Sequence, residues 1–410
     1  MSPEIILNLL VILIIAGFIF SQVLEFLNLR SQKEKPADAV REFYSEERYQ
    51  QSRSYHKTHW TFGLWSDGFQ VILTLTLLLT GFYGWLDGVL RSWVESPIWL
   101  SIVFFAMVSL LSSLIQIPFG WYEHFRIEAS FGFNKMTLRT YFSDLLKGLL
   151  IGAVIGLPLL WVFLKLVEQI GPEFWIWFGL VATAFILFMN LFYTSLLLPL
   201  FNKLSPLPDG ELKTAILDFA KKTDFPVENI LIMDGSKRSS KANAFFSGLG
   251  KRKKVVLFDT LIEKHTVGEL IAILAHEVGH YKKKHIVLGL FSSVVQIFFV
   301  LWVLSLFIGK EELSLALGGS TNAIHLNLLS FGILFSPVSG IASLLSMVVS
   351  RAHEFQADAY AKGHSEAKEL ISGLKKLSTD NLSNLTPHPL YVFFHYSHPP
   401  VLRRIEKLLE

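Results

Sequence analysis

Apolar residues in this chain fall into long unbroken runs, where a soluble domain would show short runs or alternation. Seven runs reach the roughly 20 helical residues needed to cross about 30 Å of hydrocarbon: residues 5–27, 64–86, 98–120, 145–167, 174–200, 286–308 and 324–349. Each predicts a transmembrane helix. The first has no basic segment before it and is too long for a cleaved signal, so it reads as a retained span. Most of the polar chain lies in residues 202–284 and 351–410, which are read as two pieces of one domain.

Within the first piece, residues 209–223 have helical periodicity. Residues 229–233, 242–246 and 254–258 are short apolar or β-branched runs bounded by Gly, Ser and Lys, which predicts a small sheet. Residues 242–246 read either as an edge strand that pairs with an extended substrate or as an ordinary interior strand. Thr266 then precedes Glu269 in capping-box spacing and starts a helix through Leu270, Leu274 and Val278. There is no internal repeat and no Gly-rich phosphate loop.

Composition agrees with the membrane reading. Of 410 residues, 51% are hydrophobic and 17% charged, against roughly a quarter charged in soluble proteins. Such a chain is too apolar for disorder. Zero cysteines exclude disulfides, thiolate nucleophiles and Cys-ligated metal. The net charge of +3 gives no footing for nucleic acid. What matters is where the 37 Lys and Arg sit: seven lie in residues 30–57, three in 126–139, fifteen in 203–284 and eight from 351 onward. Only Arg91 and Lys310 fall in the intervening segments. The positive-inside rule then places the N-terminus outside and the C-terminus in the cytoplasm. The strings 251–254 and 282–284 are read as contacts to anionic headgroups, worth about 1 kcal/mol per charge.

The capped helix carries His276-Glu277-Val278-Gly279-His280. Histidines four apart share a helix face, so both can hold one ion while Glu277 reaches a water on it. Alone, the motif also fits a surface helix with two solvated histidines. Geometry tilts the balance. His280 lies just before the sixth span and Glu354 just after the seventh, so both emerge at one membrane face. In His353-Glu354-Phe355-Gln356-Ala357-Asp358, Glu354 completes a His2Glu zinc set with an open fourth position. Asp358, one turn on, suits the outer nitrogen of a liganding histidine. His353 is the rival ligand, on a face rotated by about 100°. His285 is one residue short of a third histidine ligand in the longer HExxHxxGxxH pattern, which is excluded.

The chain resembles the Ste24-type CAAX prenyl proteases, integral-membrane zinc metalloproteases of family M48. The resemblance covers most of the chain: besides the two motifs it includes residues 131–135, 200–208, 243–245, 256–261 and 395–400. It implies a mainly α membrane protein in which seven transmembrane helices form a hollow barrel around a water-filled chamber. A cytoplasmic, gluzincin-like α/β zinc metalloprotease domain caps that barrel. It implies one Zn2+ and a peptide or protein substrate, prenylated near its C-terminal CAAX sequence or otherwise membrane-associated. It also assigns His398 and Arg404 to stabilising the tetrahedral oxyanion, although Arg403, Arg404 and Lys407 also read as a basic face. Asn243 and Ala244 become substrate-binding positions. Four segments follow: residues 1–201 with helices 1–5, 202–284 with HEVGH, 285–350 with helices 6 and 7, and 351–410 completing the protease domain. The polar span residues Asp67, Gln116, Asn190 and Gln296 are expected to face water. The membrane would be the inner membrane of a bacterium or the endoplasmic reticulum of a eukaryote. The rival function is a seven-span zinc transporter or channel. Its sites belong near the bilayer midplane, and it has no use for Glu277.

Overall fold

A computed structural model describes residues 1–33, 41–247 and 253–410. Among these residues five helices are long and apolar enough to cross a membrane, six if the pair Ile324–Leu334 and Ser336–His364, bent by 52°, forms one span. The difference from seven arises largely at Leu138–Phe201, counted as one stretch of 64 residues. That stretch consists of the helices Leu138–Ile170 and Phe174–Leu196, joined by a 3-10 turn at Gly171–Glu173. It doubles back, because Phe163 meets Phe174 at 5.3 Å and Phe178 at 5.1 Å between ring centroids. The apolar run at 64–86 is also interrupted. The helix Glu46–Leu79 stops before Gly81, at φ 67°, and Phe82–Arg91 begins a new one. A Cβ on Gly84 would lie 1.9 Å from the Gly318 carbonyl carbon, so glycine is required where these two backbones touch.

Little of each apolar helix is covered by protein. Between 6% and 28% of the most apolar window is buried in the five helices. At one end they close over a packed cluster that includes Leu10, Leu90, Phe104, Leu317 and Leu326. At the other end sits the mixed α/β part.

Its four-stranded sheet runs β1 (Leu204–Pro206), β2 (Val227–Met233), β4 (Lys253–Phe258), β3 (Ala244–Ser247). β2 and β4 are parallel and the outer pairs antiparallel. The sheet expected from the short apolar runs is present, with β3 at its edge. Three residues ending in Pro206 give no strand signal for β1, which exists because β2 offers it a ladder. The core of this part draws on both polar pieces: Ile216, Phe219, Val255 and Leu257 pack with Leu270, Leu274 and Val278 and with Ala361, Leu370 and Leu408. The basic loops lie on this face too. Tyr44 donates to the carbonyl oxygens of Ser378 and Ser383, and the Lys135 amide donates to the Arg238 carbonyl.

One reading of the basic strings is corrected. Lys253 is 3% exposed, and its ammonium lies 5.0 Å from the centre of the Tyr281 ring, so it does not reach a headgroup. Lys251 and Arg252 lie outside the described residues.

Candidate metal centre

The HEVGH helix spans Val267–Lys282 and starts where the capping box predicts. The Glu269 amide donates to Thr266 Oγ1 at 3.2 Å, and the Thr266 amide donates to Glu269 Oε2 at 3.0 Å. Leu270, Leu274 and Val278 turn into the core, which leaves His276 and His280 together on an adjoining face. The HEFQAD residues lie on the helix Ser336–His364. Gly279 lets the two helices approach: a Cβ there would stand 3.0 Å from Ala357 Cα and from Tyr360 Cβ.

Three side chains converge across this contact, offering two imidazole nitrogens and the two oxygens of one carboxylate. His276 Nε2 and His280 Nε2 are 3.2 Å apart, His280 Nε2 lies 3.2 Å from Glu354 Oε1, and His276 Nε2 lies 3.4 Å from Glu354 Oε2. A tetrahedral ion with bonds of about 2.0–2.1 Å sets its donors roughly 3.3 Å apart, so the triangle has the size a metal requires. Among the described residues this is the group of three or more His, Asp or Glu side chains placed to hold an ion. Glu354 Oε2 is buried without a hydrogen-bond partner, an arrangement that costs free energy unless a cation meets it. The site's preference for positive charge shows in His276. Burial alone would lower its pKa, yet hydrogen bonds to Asp358 and Glu354 outweigh burial and raise it to about 9.

Around the triangle the polar groups form layers. Asp358 Oδ1 lies 2.8 Å from His276 Nδ1 and, by accepting its proton, aims the Nε2 lone pair at the centre. Arg404 forks onto Asp358, with Nε donating to Oδ2 at 2.8 Å and Nη2 to Oδ1 at 2.6 Å. Its remaining nitrogen, Nη1, stands 3.5 Å from Glu354 Oε2. His398 Nε2 lies 3.3 Å from Glu354 Oε1 on the open side.

A cavity of about 890 Å³ opens from this point, with Glu277, His280, Glu354 and His398 at one end. It continues between the helices His285–Ser305 and Ser336–His364 along Gln296, Phe299 and Leu345. Glu277 sits in its wall, and burial pushes its carboxyl above the ordinary range. Arg404 and Asp358 lie behind the histidines, outside this wall, so the two residues assigned to the oxyanion stand at different depths. Phe245 of β3 also borders the cavity. Asn243 and Ala244 lie at the start of that strand, where the Asn243 carbonyl accepts from the Phe258 amide at 3.2 Å and Ala244 pairs with Leu257. Of the polar span residues, Gln296 reaches this cavity, Asp67 accepts from Gln22 in a separate polar pocket, Asn190 donates to its own helix at Ile186, and Gln116 is exposed.

Two neighbours were not foreseen in the sequence. His285 Nδ1 lies 3.0 Å from His280 Nδ1, and Gln356 Oε1 lies 3.1 Å from His285 Nε2. Its spacing excludes His285 as a third histidine ligand. The signal for its other role was the polar Gln356 beside Glu354, on the partner helix. His353, the rival ligand, stacks flat on His285 with ring centroids 3.8 Å apart and lies outside the triangle.

Comparison with known proteins agrees with this geometry. Residues 25–203 match the family model described as CAAX prenyl protease N-terminal, five membrane helices, and residues 206–410 match peptidase family M48. CAAX prenyl protease 1 of Saccharomyces cerevisiae is 32% identical over 96% of this chain and 93% of its own length. The human CAAX prenyl protease 1 homolog is 34% identical over 88% of this chain and 86% of its own. The crystal structure of Ste24p from S. mikatae superposes with a TM-score of 0.94 at 29% identity, covering 98% of this chain and 99% of that one. An integral-membrane helical scaffold, a His-His-Glu metal triangle beside a half-buried glutamate, and matches to both family models over nearly the whole length identify the chain as a member of the M48 CAAX prenyl proteases, a metalloprotease.

Proposed function

We propose that the chain is a zinc endopeptidase that cuts near the C-terminus of CAAX-type, prenylated substrates. The observation carrying this is the donor triangle at the mouth of a largely apolar cavity that leads in among the membrane helices. The relatives are named for prenylated CAAX substrates, and an isoprenoid chain matches a lane bordered by Phe291, Val295, Phe299 and Leu345. His276, His280 and Glu354 would hold the ion. When bound, zinc supplies Lewis acidity, polarising a carbonyl and lowering the pKa of water. Glu277 takes the proton of the attacking water and passes it to the leaving amine. His398, on the open side, donates to the oxyanion, while Arg404 supports the same charge from behind through Glu354 and Asp358. β3 offers its free edge to an extended peptide, with Asn243 and Ala244 at its start. A transporter has no need of this arrangement.

The same reading takes the doubled-back stretch as two spans and the bent pair as one, giving seven around a hollow interior. Low burial of the helices supports the hollow, since a packed bundle would cover one face of each. The gathering of basic loops at the metal end supports a cytoplasmic active site.

Purified protein is expected to hold one zinc per chain. Glu277→Gln should keep it and lose peptidase activity by about 10^4-fold, whereas His276→Ala, His280→Ala and Glu354→Ala should lose metal and activity together. Full cleavage of a prenylated peptide by a zinc-loaded Glu277→Gln protein would end the mechanism. Orientation is tested separately, in a chain with no native thiol. A cysteine at Lys310 should react with an impermeant reagent outside cells and one at Lys283 should not.

A further inference from the structure

We infer that Gln356 and His285 form a tautomer relay that presets His280 for the metal. Gln356 Oε1 accepts only, so the His285 Nε2 facing it at 3.1 Å carries the proton. A neutral imidazole protonated at Nε2 has its lone pair at Nδ1. That lone pair faces His280 Nδ1 at 3.0 Å, which must therefore be the donor. His280 is left with a bare Nε2, the atom directed at Glu354 and His276. Asp358 does the same for His276 directly, so the two histidines are aimed from opposite sides, one by a carboxylate and the other through an imidazole. Because no anion lies next to His280 Nδ1 among the described residues, the metal site gains direction on that side without a further buried charge.

The backbone supports this role. Between His280 and His285 the helix ends, and Lys284 adopts φ 59°, uncommon for a side chain with a Cβ. That residue turns the chain so that the next helix begins with His285, folded back against His280. His285 is buried, and the His353 ring lies parallel to it at an interplanar angle of 6°, which fixes its plane. His353 is thus a positioning residue for the relay.

The inference rests on the metal-centre reading and is tested by zinc affinity of the full-length protein in detergent, measured by competition with a chromophoric chelator. His285→Phe keeps the stack but removes the acceptor and should weaken zinc binding 10- to 100-fold. Gln356→Ala should weaken it roughly 10-fold, since either tautomer of His285 then becomes accessible. In a relay the second loss is contained in the first, so the double variant should bind no more weakly than His285→Phe. Affinities within twofold of wild type for both single variants would overturn the relay, as would losses that add in the double variant. Should His285→Phe fail to fold, unchanged affinity in Gln356→Ala is alone enough to overturn it. His280→Ala separates the two levels: zinc retained there refutes the metal centre, whereas zinc lost there but held tightly by His285→Phe refutes the relay only.

Discussion

Histidines at the two ends of the molecule sit in similar company and do different things. His276 has Asp358 on one nitrogen and, on the other, His280 and a carboxylate oxygen without a hydrogen-bond partner, beside an open cavity. His325, at the far end, has Asp87 Oδ1 at 2.9 Å from Nε2 and Ser101 Oγ at 3.0 Å from Nδ1. Ser, His and Asp in that order are the members of a nucleophilic triad. Here the serine oxygen also donates to the Pro97 carbonyl, Arg91 closes the second oxygen of Asp87, and Phe104 covers the imidazole at 4.4 Å. Asp87, Ser101 and His325 are 0%, 2% and 1% exposed. The far cluster ties the Phe82–Arg91 segment to the helices Pro97–Tyr122 and Ile324–Leu334, and no substrate reaches it. What separates a site from a brace is the unsatisfied atom and the space in front of it.

That contrast is broken or sharpened most strongly by His325→Ala. Removing the imidazole leaves a cavity and takes a hydrogen-bond partner from Asp87 Oδ1 and from Ser101, while Arg91 still pairs the other Asp87 oxygen; the change should cost about 2–4 kcal/mol, read as a lowered unfolding temperature in detergent with zinc stoichiometry unchanged. Ser101→Ala should cost about 1 kcal/mol and leave peptidase activity within twofold. Loss of zinc or of cleavage in a folded Ser101→Ala protein would erase the distinction between the two ends.

The next effect lies at the metal end, in the packing that brings the donors together. Gly279→Ala places a methyl about 3 Å from the Ala357 backbone. Overpacking of this kind costs about 1–3 kcal/mol, of which a better helix former returns about 1. The two helices must part slightly, so zinc affinity should fall several-fold while the far cluster holds. A Gly279→Ala protein with unchanged zinc affinity would show that the site tolerates a wider helix contact than its donor spacing implies.

How legible each end was in the sequence follows from the range of the interactions. The HEVGH helix, its cap and the turn from Glu354 to Asp358 are local patterns, and they bring His276, His280, Glu354 and Asp358 together. The long apolar runs are local as well, and so is Pro337 at the start of the helix after the bend, whereas the interruption at Gly81 meets a backbone far along the chain, at Gly318. β1 depends on a partner strand, and the burial of Lys253 depends on Tyr281, so neither leaves a mark in its own neighbourhood. The relay histidine sits near its partner in sequence, yet its role depends on Gln356, 71 residues away. The Asp87–His325 brace spans 238 positions and carries no spacing rule at all.

The smallest predicted effect concerns the acid that the metal end retains at a cost. Burial holds the Glu277 carboxyl above its ordinary pKa in the metal-free protein, where nearby His276 and His280 offset only part of the penalty. The folded chain therefore keeps this proton to higher pH than the unfolded chain, whose carboxyl titrates near pH 4.3. Between those two values the native state binds more protons, so stability contributed by the neutral form is present below about pH 4 and is lost as pH rises through the raised pKa. Glu277→Gln has no proton to lose. The unfolding temperature of the metal-free variant should match that of the metal-free parent at pH 4 and exceed it at pH 7, by on the order of 1–2 °C. A difference independent of pH would assign the change to packing of the amide, and a difference that shrinks as pH rises would reverse the sign and place Glu277 in contact with a stabilising cation. Only the widening gap identifies a carboxyl whose surroundings disfavour its charge, as burial does for Glu277.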